Sequence, residues 1–243
     1  MPADAAKAVL RAARAQGLRV VDEPAAKALL ASFGVMTPAM RVVQSAAEID
    51  GSVSMLRPPY VLKAVSPQII HKSDVGAVRV GLRDARELAM ALDEMRIALA
   101  AKALRVEHWL VEEMAPPGVE CVIGGVIDAE FGPMVMAGLG GVFVEVMRDV
   151  SFRICPIERR EALEMLGELR GAPLLRGTRG RPPVSLEALA DALVRIGGEG
   201  GVLPSLAGEL TEIDVNPLIV TGDRAIAVDV RIVLGAPASE GAP

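Results

Sequence analysis

The chain has few aromatic residues: Phe, Tyr and Trp together make up 2% of its 243 residues. With so few rings to stack on bases, a net charge of −5 and no basic run, the sequence argues against nucleic acid as a partner. Cysteine is scarce too. Cys121 and Cys155 stand alone, with no CxxC pair and no metal-ligand spacing, which excludes a disulfide framework. Both read as small buried apolar residues of a protein in a reducing compartment, and the expectation is a cytoplasmic location. Long hydrophobic runs are missing as well. Mean hydropathy is +0.39, yet the most apolar stretch, MVMAGLGGVFV at 134–144, is broken by glycines and ends at Glu145. That is short of the roughly 20 apolar residues a membrane span needs. The Ala- and Arg-rich N-terminus has no continuous apolar core of a signal peptide and reads as a helix ending at Gly17.

What is abundant is aliphatic. Hydrophobic residues reach 51%, enough for a substantial core of Val, Leu, Ile, Ala and Met without disulfides or a structural metal. Asp22, with Pro24 behind it, suits the start of a helix that runs to Gly34. A short strand follows within 35–45, and Ser45 is placed to cap the next helix. Tyr60–Val65 and Ala77–Leu82 read as strands joined by a loop. Residues 85–101 show helical spacing of Leu88, Leu92, Met95 and Leu99. A strand at Trp109–Met114 runs into Pro116-Pro117-Gly118, a turn that breaks a ladder and marks a lobe boundary at 114–118. Beyond it, strands are expected at 120–127, 134–136, 143–147 and 151–154, helices at 158–170 and 185–197, and closing strands near 209–220 and 224–234. The glycines at 197–201 read as a loop or an imperfect helix end. The mixture indicates an α+β fold.

Six groups of residues could carry chemistry. His71, one of two histidines, stands in HKSDVGAV (71–78) beside Lys72, Ser73 and Asp74. An imidazole can accept and return a phosphoryl group near neutral pH. Lys63, at the end of an apolar strand, suits contact with an anionic group such as a phosphate, though taken alone it reads better as a solvated strand-end lysine. Glu112 and Glu120 flank the Pro-Pro-Gly turn, where a strand end could read a purine edge and a carboxylate could accept from a ribose hydroxyl or an amine. Glu212, Asp214 and Asn216 are spaced by two, so they share one face of a strand. With Asp229 on a neighbouring strand they would form either an oxygen-rich face that suits Mg²⁺ or a hairpin with a solvated polar face. Gly138–Gly141 could cradle phosphate or form a tight turn. Arg148, Arg153 and the basic loop at 176–181 could meet anions. His108 reads as a surface or packing residue.

In order along the chain, the Lys63 strand end, HKSDVGAV, VEEMAPPGVE, FGPMVMAGLGGVFVEVMRDVSFR, RGRPPVSLEALADAL and EIDVNPL…AVDVRI resemble one family. It is the ATP-grasp subunit or domain of ADP-forming acyl-CoA synthetases, of the acetate–CoA ligase (ADP-forming) beta-subunit type, related to succinyl-CoA synthetase. The resemblance covers about Asp22 to Leu234. Ala77 stands where that family usually has a second glycine, and Glu113 where a glutamine or other polar residue is common.

The resemblance implies an ATP-grasp fold, two α+β lobes clasping a nucleotide. The expected division is an N-terminal helical extension (1–20), a first lobe with the phosphohistidine loop (21–114), a second lobe with the Mg²⁺ site (115–235) and a disordered tail (236–243). It implies a ligase forming carbon–sulfur bonds that uses ATP/ADP and Mg²⁺. Lys63 would contact phosphates, and Lys72 and Ser73 would cover them. Glu112 and the Met114 backbone would lie at the adenine edge, and Glu120 near the ribose. Asn216 and Asp229 would hold the metal with help from Asp214. His71 would relay a phosphoryl group to ADP from a CoA-binding alpha subunit that carries its own phosphohistidine, in a hetero-oligomer. Two other readings stand beside this one. The first is an ATP-grasp carboxylate ligase that uses an acyl phosphate without phosphohistidine, and the second is a non-catalytic nucleotide-sensing or assembly module.

Overall fold

A computed structural model describes residues 2–69, 72–141, 147–178 and 182–235. The chain opens with α1 (Pro2–Ala15), β1 (Val20–Val21), α2 (Glu23–Ser32) and β2 (Met40–Val43). A 3-10 turn at Ala46–Glu48 leads into α3 (Ile49–Val53), β3 (Tyr60–Val65), α4 (Lys72–Val75), β4 (Val78–Leu82), α5 (Ala85–Ala101) and β5 (His108–Glu113). Then come β6 (Val119–Asp128), β7 (Gly132–Leu139), β8 (Val150–Ile154), α6 (Arg159–Glu168), α7 (Ala172–Leu175) and α8 (Leu186–Gly197). The described chain closes with α9 (Val202–Leu206), β9 (Leu210–Val220), β10 (Ala225–Ala227) and β11 (Val230–Leu234). Among the described residues, no helix is long and apolar enough to cross a membrane.

These elements form two compact units, residues 38–115 and residues 1–37 with 116–243. The smaller unit is a four-stranded antiparallel sheet in the order β2-β5-β3-β4. Its core is the alternate positions Tyr60, Leu62, Ala64, Trp109 and Val111, packed against the helical stripe Leu88, Leu92, Met95 and Leu99. That stripe is at most 1% exposed, and each such leucine contributes about 1.5–3 kcal/mol by burial. Asp84 starts α5, its carboxylate accepting from the Glu87 N–H at 2.8 Å. Ser45 holds the expected cap position but makes no side-chain cap; Glu48 reaches back instead to the Gln44 N–H at 3.1 Å.

The larger unit is a seven-stranded sheet in the order β1-β11-β9-β6-β7-β8, with β10 also on β9. One continuous core joins α1, α2 and helices α6 to α9 to this sheet. Asp22 caps α2 as expected, accepting from the Ala25 N–H at 3.0 Å. Gly34 ends the helix region with φ +82, a left-handed conformation that glycine adopts without strain. Lys27, which the sequence gave no reason to bury, is wholly inside. Its ammonium lies 2.8 Å from Glu23 one turn earlier.

Several expectations need correction. Residues 21–37 belong with 116–235 and not with the lobe that follows them, because β1 pairs with β11 (Val20↔Val233, Val21↔Ile232). The N-terminal helix is likewise docked on that unit. Arg11 Nε and Arg14 Nη1 bind the two carboxylate oxygens of Glu209 at 2.7 and 2.9 Å, and Arg14 Nη2 binds its carbonyl at 2.6 Å. The connection from β3 to β4 is not all loop, since Lys72–Val75 forms one helical turn. The glycine-rich stretch near 200 leads into an unanticipated helix, α9, while Gly197 ends α8 as expected. Gly138 is a strand residue, paired with Val122 and Val150, and not part of a phosphate-binding turn. The closing strand breaks at Val228–Asp229 into β10 and β11. Most of the strand expected at 143–147, and the tail at 236–243, lie outside the described residues.

The Glu209 clamp has a pH signature. Burial alone would raise its carboxyl, but the hydrogen bonds from Arg11 and Arg14 outweigh burial and hold it below the ordinary value of 4.5. A depressed acid stabilises the fold above its unfolded pKa and loses that contribution as pH falls through its folded one. Glu209→Gln should therefore cost on the order of 1–2 kcal/mol at neutral pH. In thermal melts the gap between parent and variant should close as pH drops below about 4; a gap that persists in acid would assign the loss to packing.

Candidate functional site

The sequence-nominated residues fall on both sheets. On the smaller sheet, β3 is buried at all six positions. One face packs on α3 and α5; the other carries Val61, Lys63 and Val65. Lys63 pairs in register with Leu110, and Val61 with Glu112, so Lys63 and Glu112 are diagonal neighbours on one face. Their side chains meet, with Nζ 2.9 Å from Oε2 and 4% and 1% of each exposed. The sequence gave these residues separate tasks and missed the pair. The available signal was a lysine in one apolar strand and glutamates in the other.

Glu113, on the other face, accepts from the Arg57 N–H at 2.9 Å. The Met114 N–H donates to the Pro59 carbonyl at 2.9 Å, while its side chain is exposed. His71 lies outside the described residues. The chain on either side of it is anchored: Ile69 is in the core cluster, and the Ala77 N–H closes the α4 turn on the Lys72 carbonyl at 2.7 Å. Lys102 Nζ also caps that turn at the Val75 carbonyl, 2.9 Å away. Ala77 is wholly buried, and Gly76 before it takes the left-handed conformation at φ +75. Lys72 is half-buried and Ser73 exposed on this turn.

On the larger sheet, β9 alternates between buried Ile213 and Val215 and the more exposed Glu212, Asp214 and Asn216. Opposite Val122 of β6, β9 carries two residues, Asn216 and Pro217, and the register shifts. The alternation changes phase there, so Leu218 and Val220 take over the core side. The break between β10 and β11 sits beside this bulge. The Asn216 N–H donates to the Asp229 carbonyl at 3.1 Å and the Val228 N–H to the Pro217 carbonyl at 3.0 Å. Two backbone bonds thus hold Asp229 next to Asn216. Asp214 lies two residues back, with Gly124 and Arg231 as its register partners. Arg231 reaches Glu212 at 3.1 Å. Beside Glu212 and Asp214 is a cavity of about 230 Å³, lined mainly by Gly124, Val126, Met134, Met136 and Phe152.

Asp214, Asn216 and Asp229 offer oxygen donors alone, as a hard cation such as Mg²⁺ requires. Among the described residues, no three His, Cys, Asp or Glu side chains gather into a cage. The set therefore fits an ion that completes its shell with phosphate and water.

Glu120 is exposed on β6. Its carbonyl accepts from the Gly140 N–H at 2.8 Å. A Cβ at Gly140 would come within 3.1 Å of the Glu120 backbone, and Gly141 has φ +61. Gly140 serves the close approach of two backbones at Glu120, and Gly141 the left-handed turn after it. Arg153 is committed to Glu168, its Nη1 3.1 Å from Oε2, and so is not held out for an anion. Arg148 is exposed with φ +49, and residues 179–181 of the basic loop lie outside the described residues. Burial, then the neighbouring Glu120, pushes the Cys121 thiol up to about 12, and burial pushes Cys155 up to about 11. Both are packing residues, as expected.

The description of an ATP-grasp domain matches residues 12–234. The beta subunit of acetate–CoA ligase (ADP-forming) I from Pyrococcus furiosus is 39% identical over 231 residues, 94% of this chain and 97% of that protein. The dinucleotide forming acetyl-coenzyme A synthetase 1 of Ca. Korarchaeum cryptofilum, solved with coenzyme A, Ca-AMPCP and HgCl+, superposes with a TM-score of 0.89. It is 41% identical, and the match covers 94% of this chain and 99% of that one. A second structure of that synthetase, with coenzyme A and Mg-AMPPCP, is described as having its phosphohistidine segment pointing towards the nucleotide binding site. It matches with a TM-score of 0.82 and 40% identity, over 95% of this chain and all of that one. The chain belongs to the ATP-grasp family, among the beta subunits of the ADP-forming acetate–CoA ligases.

Proposed function

We propose that this chain is the nucleotide-binding subunit of an ADP-forming acyl-CoA synthetase. It takes part in the reversible conversion of acyl-CoA, ADP and phosphate to the acid, ATP and CoA. The observation that carries the reading is the oxygen-donor set at the β9 bulge, where two backbone bonds hold Asp229 beside Asn216. Near-complete coverage of a beta subunit of this activity supports it.

Lys63 meets the nucleotide phosphates, and Lys72 and Ser73 on the α4 turn cover them. The strand end at Glu112–Met114 lies along the adenine edge, and Glu120 near the ribose. Asn216 and Asp229, with Asp214 beside them, hold Mg²⁺; when bound, that ion neutralises phosphate charge. In-line transfer needs positioning and charge neutralisation more than covalent help from the protein. His71 supplies the one covalent step. An imidazole nitrogen carries the phosphoryl group, and a phosphate oxygen of ADP displaces that nitrogen, breaking P–N and forming P–O. The donor side is a CoA-binding alpha subunit with its own phosphohistidine, so the working enzyme is a hetero-oligomer.

The purified chain should bind Mg²⁺–ADP or Mg²⁺–ATP in calorimetry yet form no acyl-CoA until a CoA-binding subunit is added. Synthesis by the chain alone would refute the division of labour. His71→Ala should abolish labelling of the chain from γ-labelled ATP and leave ADP affinity within about twofold, since only the covalent step is lost. Turnover that survives this change would rule out the relay. Asp229→Ala should weaken nucleotide binding about tenfold or more in the presence of Mg²⁺ and much less in EDTA. Equal losses in both would place the metal elsewhere.

A further inference from the structure

We propose that the connection from α5 to β5, residues 102–107, is the seat of the 66–76 segment, and that Lys102 and Gln68 are positioning residues for phosphoryl transfer at His71. The proposal rests on the relay reading above and deepens it.

Every contact involved lies inside the smaller unit. The segment leaves β3 after Val65 and returns through the α4 turn, so it has two stems. The first stem is held at two points. The Glu107 N–H donates to the Val65 carbonyl at 2.9 Å, and the Arg105 N–H donates to Gln68 Oε1 at 2.8 Å. A tight turn sets Gln68 for that contact. Its own N–H donates to Ser66 Oγ at 3.2 Å, and the Ile69 N–H donates to the Ser66 carbonyl at 3.2 Å. The second stem is held by Lys102, whose ammonium donates to the Val75 carbonyl at 2.9 Å. That carbonyl stands at the C-terminal end of α4, where carbonyls lack helical partners and a cation is favoured. Beneath the two stems, Val75, Leu104 and Val106 pack against the core that holds Ile69.

The end of α5 aims this connection. The Lys102 and Leu104 N–H groups both turn back on the Leu99 carbonyl, at 3.1 and 3.0 Å. Ala103 between them takes φ +55. Glycine usually supplies this left-handed helix ending, and an alanine there is strained. Such strain persists only where the surrounding structure demands the conformation. Here it sets the Lys102 side chain against the α4 turn while the Arg105 amide, three residues on, meets Gln68.

His71 directly precedes Lys72, and consecutive Cα atoms are about 3.8 Å apart. The place of the α4 turn therefore limits where His71 can reach. A misplacement of about 1 Å can cost a reaction about a hundredfold in rate. Two exposed hydrogen bonds, each modest for stability, thus have a large effect on transfer.

The test is the rate at which the full chain, saturated with Mg²⁺ and γ-labelled ATP, takes label at His71, measured beside its thermal melt. Saturation removes any loss of nucleotide affinity through Lys72 or Ser73 from that rate. Lys102→Met keeps the length of the side chain and loses the donor; Gln68→Leu loses the acceptor. Each should slow labelling at least tenfold, with the melting temperature within about 4 °C of the parent's. Lys102→Arg and Gln68→Glu keep a donor and an acceptor, and each should retain at least half the parent rate. Labelling at the parent rate in Lys102→Met or in Gln68→Leu would overturn the role given to that residue. A loss as large in the conservative variants would assign the effect to packing and overturn the proposal as well. A parent chain that binds Mg²⁺–ADP but takes no label would refute the relay reading itself, and this inference with it.

Discussion

The larger unit depends on what one strand must do at once. β9 pairs with β6 along one edge and with β10 and β11 along the other. It therefore cannot shift without unzipping the sheet. One of its faces has to supply core residues, and the other has to present Glu212, Asp214 and Asn216. A strand of strict period two could do both only if core and polar positions kept one phase throughout. They do not, because Ile213 and Val215 are buried before the bulge and Leu218 and Val220 after it. The extra residue opposite Val122 absorbs the change of phase, and the same irregularity splits the partner strand at Val228–Asp229. The proposed site thus lies where the ladder is interrupted, and the apolar register on both sides pins its backbone in place.

The smaller sheet solves a different problem. Its central strand β3 is buried on both faces, but only one face packs against the unit's own helices. A purely apolar second face would be an adhesive surface. Lys63 and Glu112 make it a neutral pair of charges, expensive to bury and therefore strict about geometry. The Glu23–Lys27 pair of α2 is buried in the same way, its ammonium and carboxylate 2.8 Å apart.

Much of the fold was legible in the sequence because the helices are amphipathic and the strands short and aliphatic. The stripe Leu88-Leu92-Met95-Leu99 fixed α5 to the residue, and Tyr60–Val65 was bounded by its prolines and the polar segment behind it. Long-range pairing was not legible. Nothing local in Val20-Val21 says that its partner is Ile232-Val233, so the first 37 residues were divided wrongly. Nor does local pattern show that a lysine in a helix, Lys27, faces inward. For the proposed site, the shared face of Asp214 and Asn216 could be read directly, since period two places alternate residues on one face; the place of Asp229 beside Asn216 comes from the backbone bonds at the bulge. The Lys63–Glu112 contact could not, because it needs the register of two strands separated by α4, β4 and α5. The role of Gly140 was also hidden: only the three-dimensional approach to Glu120 distinguishes it from an ordinary turn glycine.

The pairing of β1 with β11 bears on how the molecule is made. Residues 38–115 are contiguous, and their strand partners lie within 72 positions of one another (112 − 40), as in Met40↔Glu112 and Val43↔Trp109. The larger unit has to unite Val20 with Val233. On a ribosome the smaller sheet has all its strands once residue 113 has emerged, while β1 and the α1 helix wait for nearly the whole remaining chain. Vectorial synthesis therefore leaves the apolar sides of α1 and α2 unsheathed for the longest time.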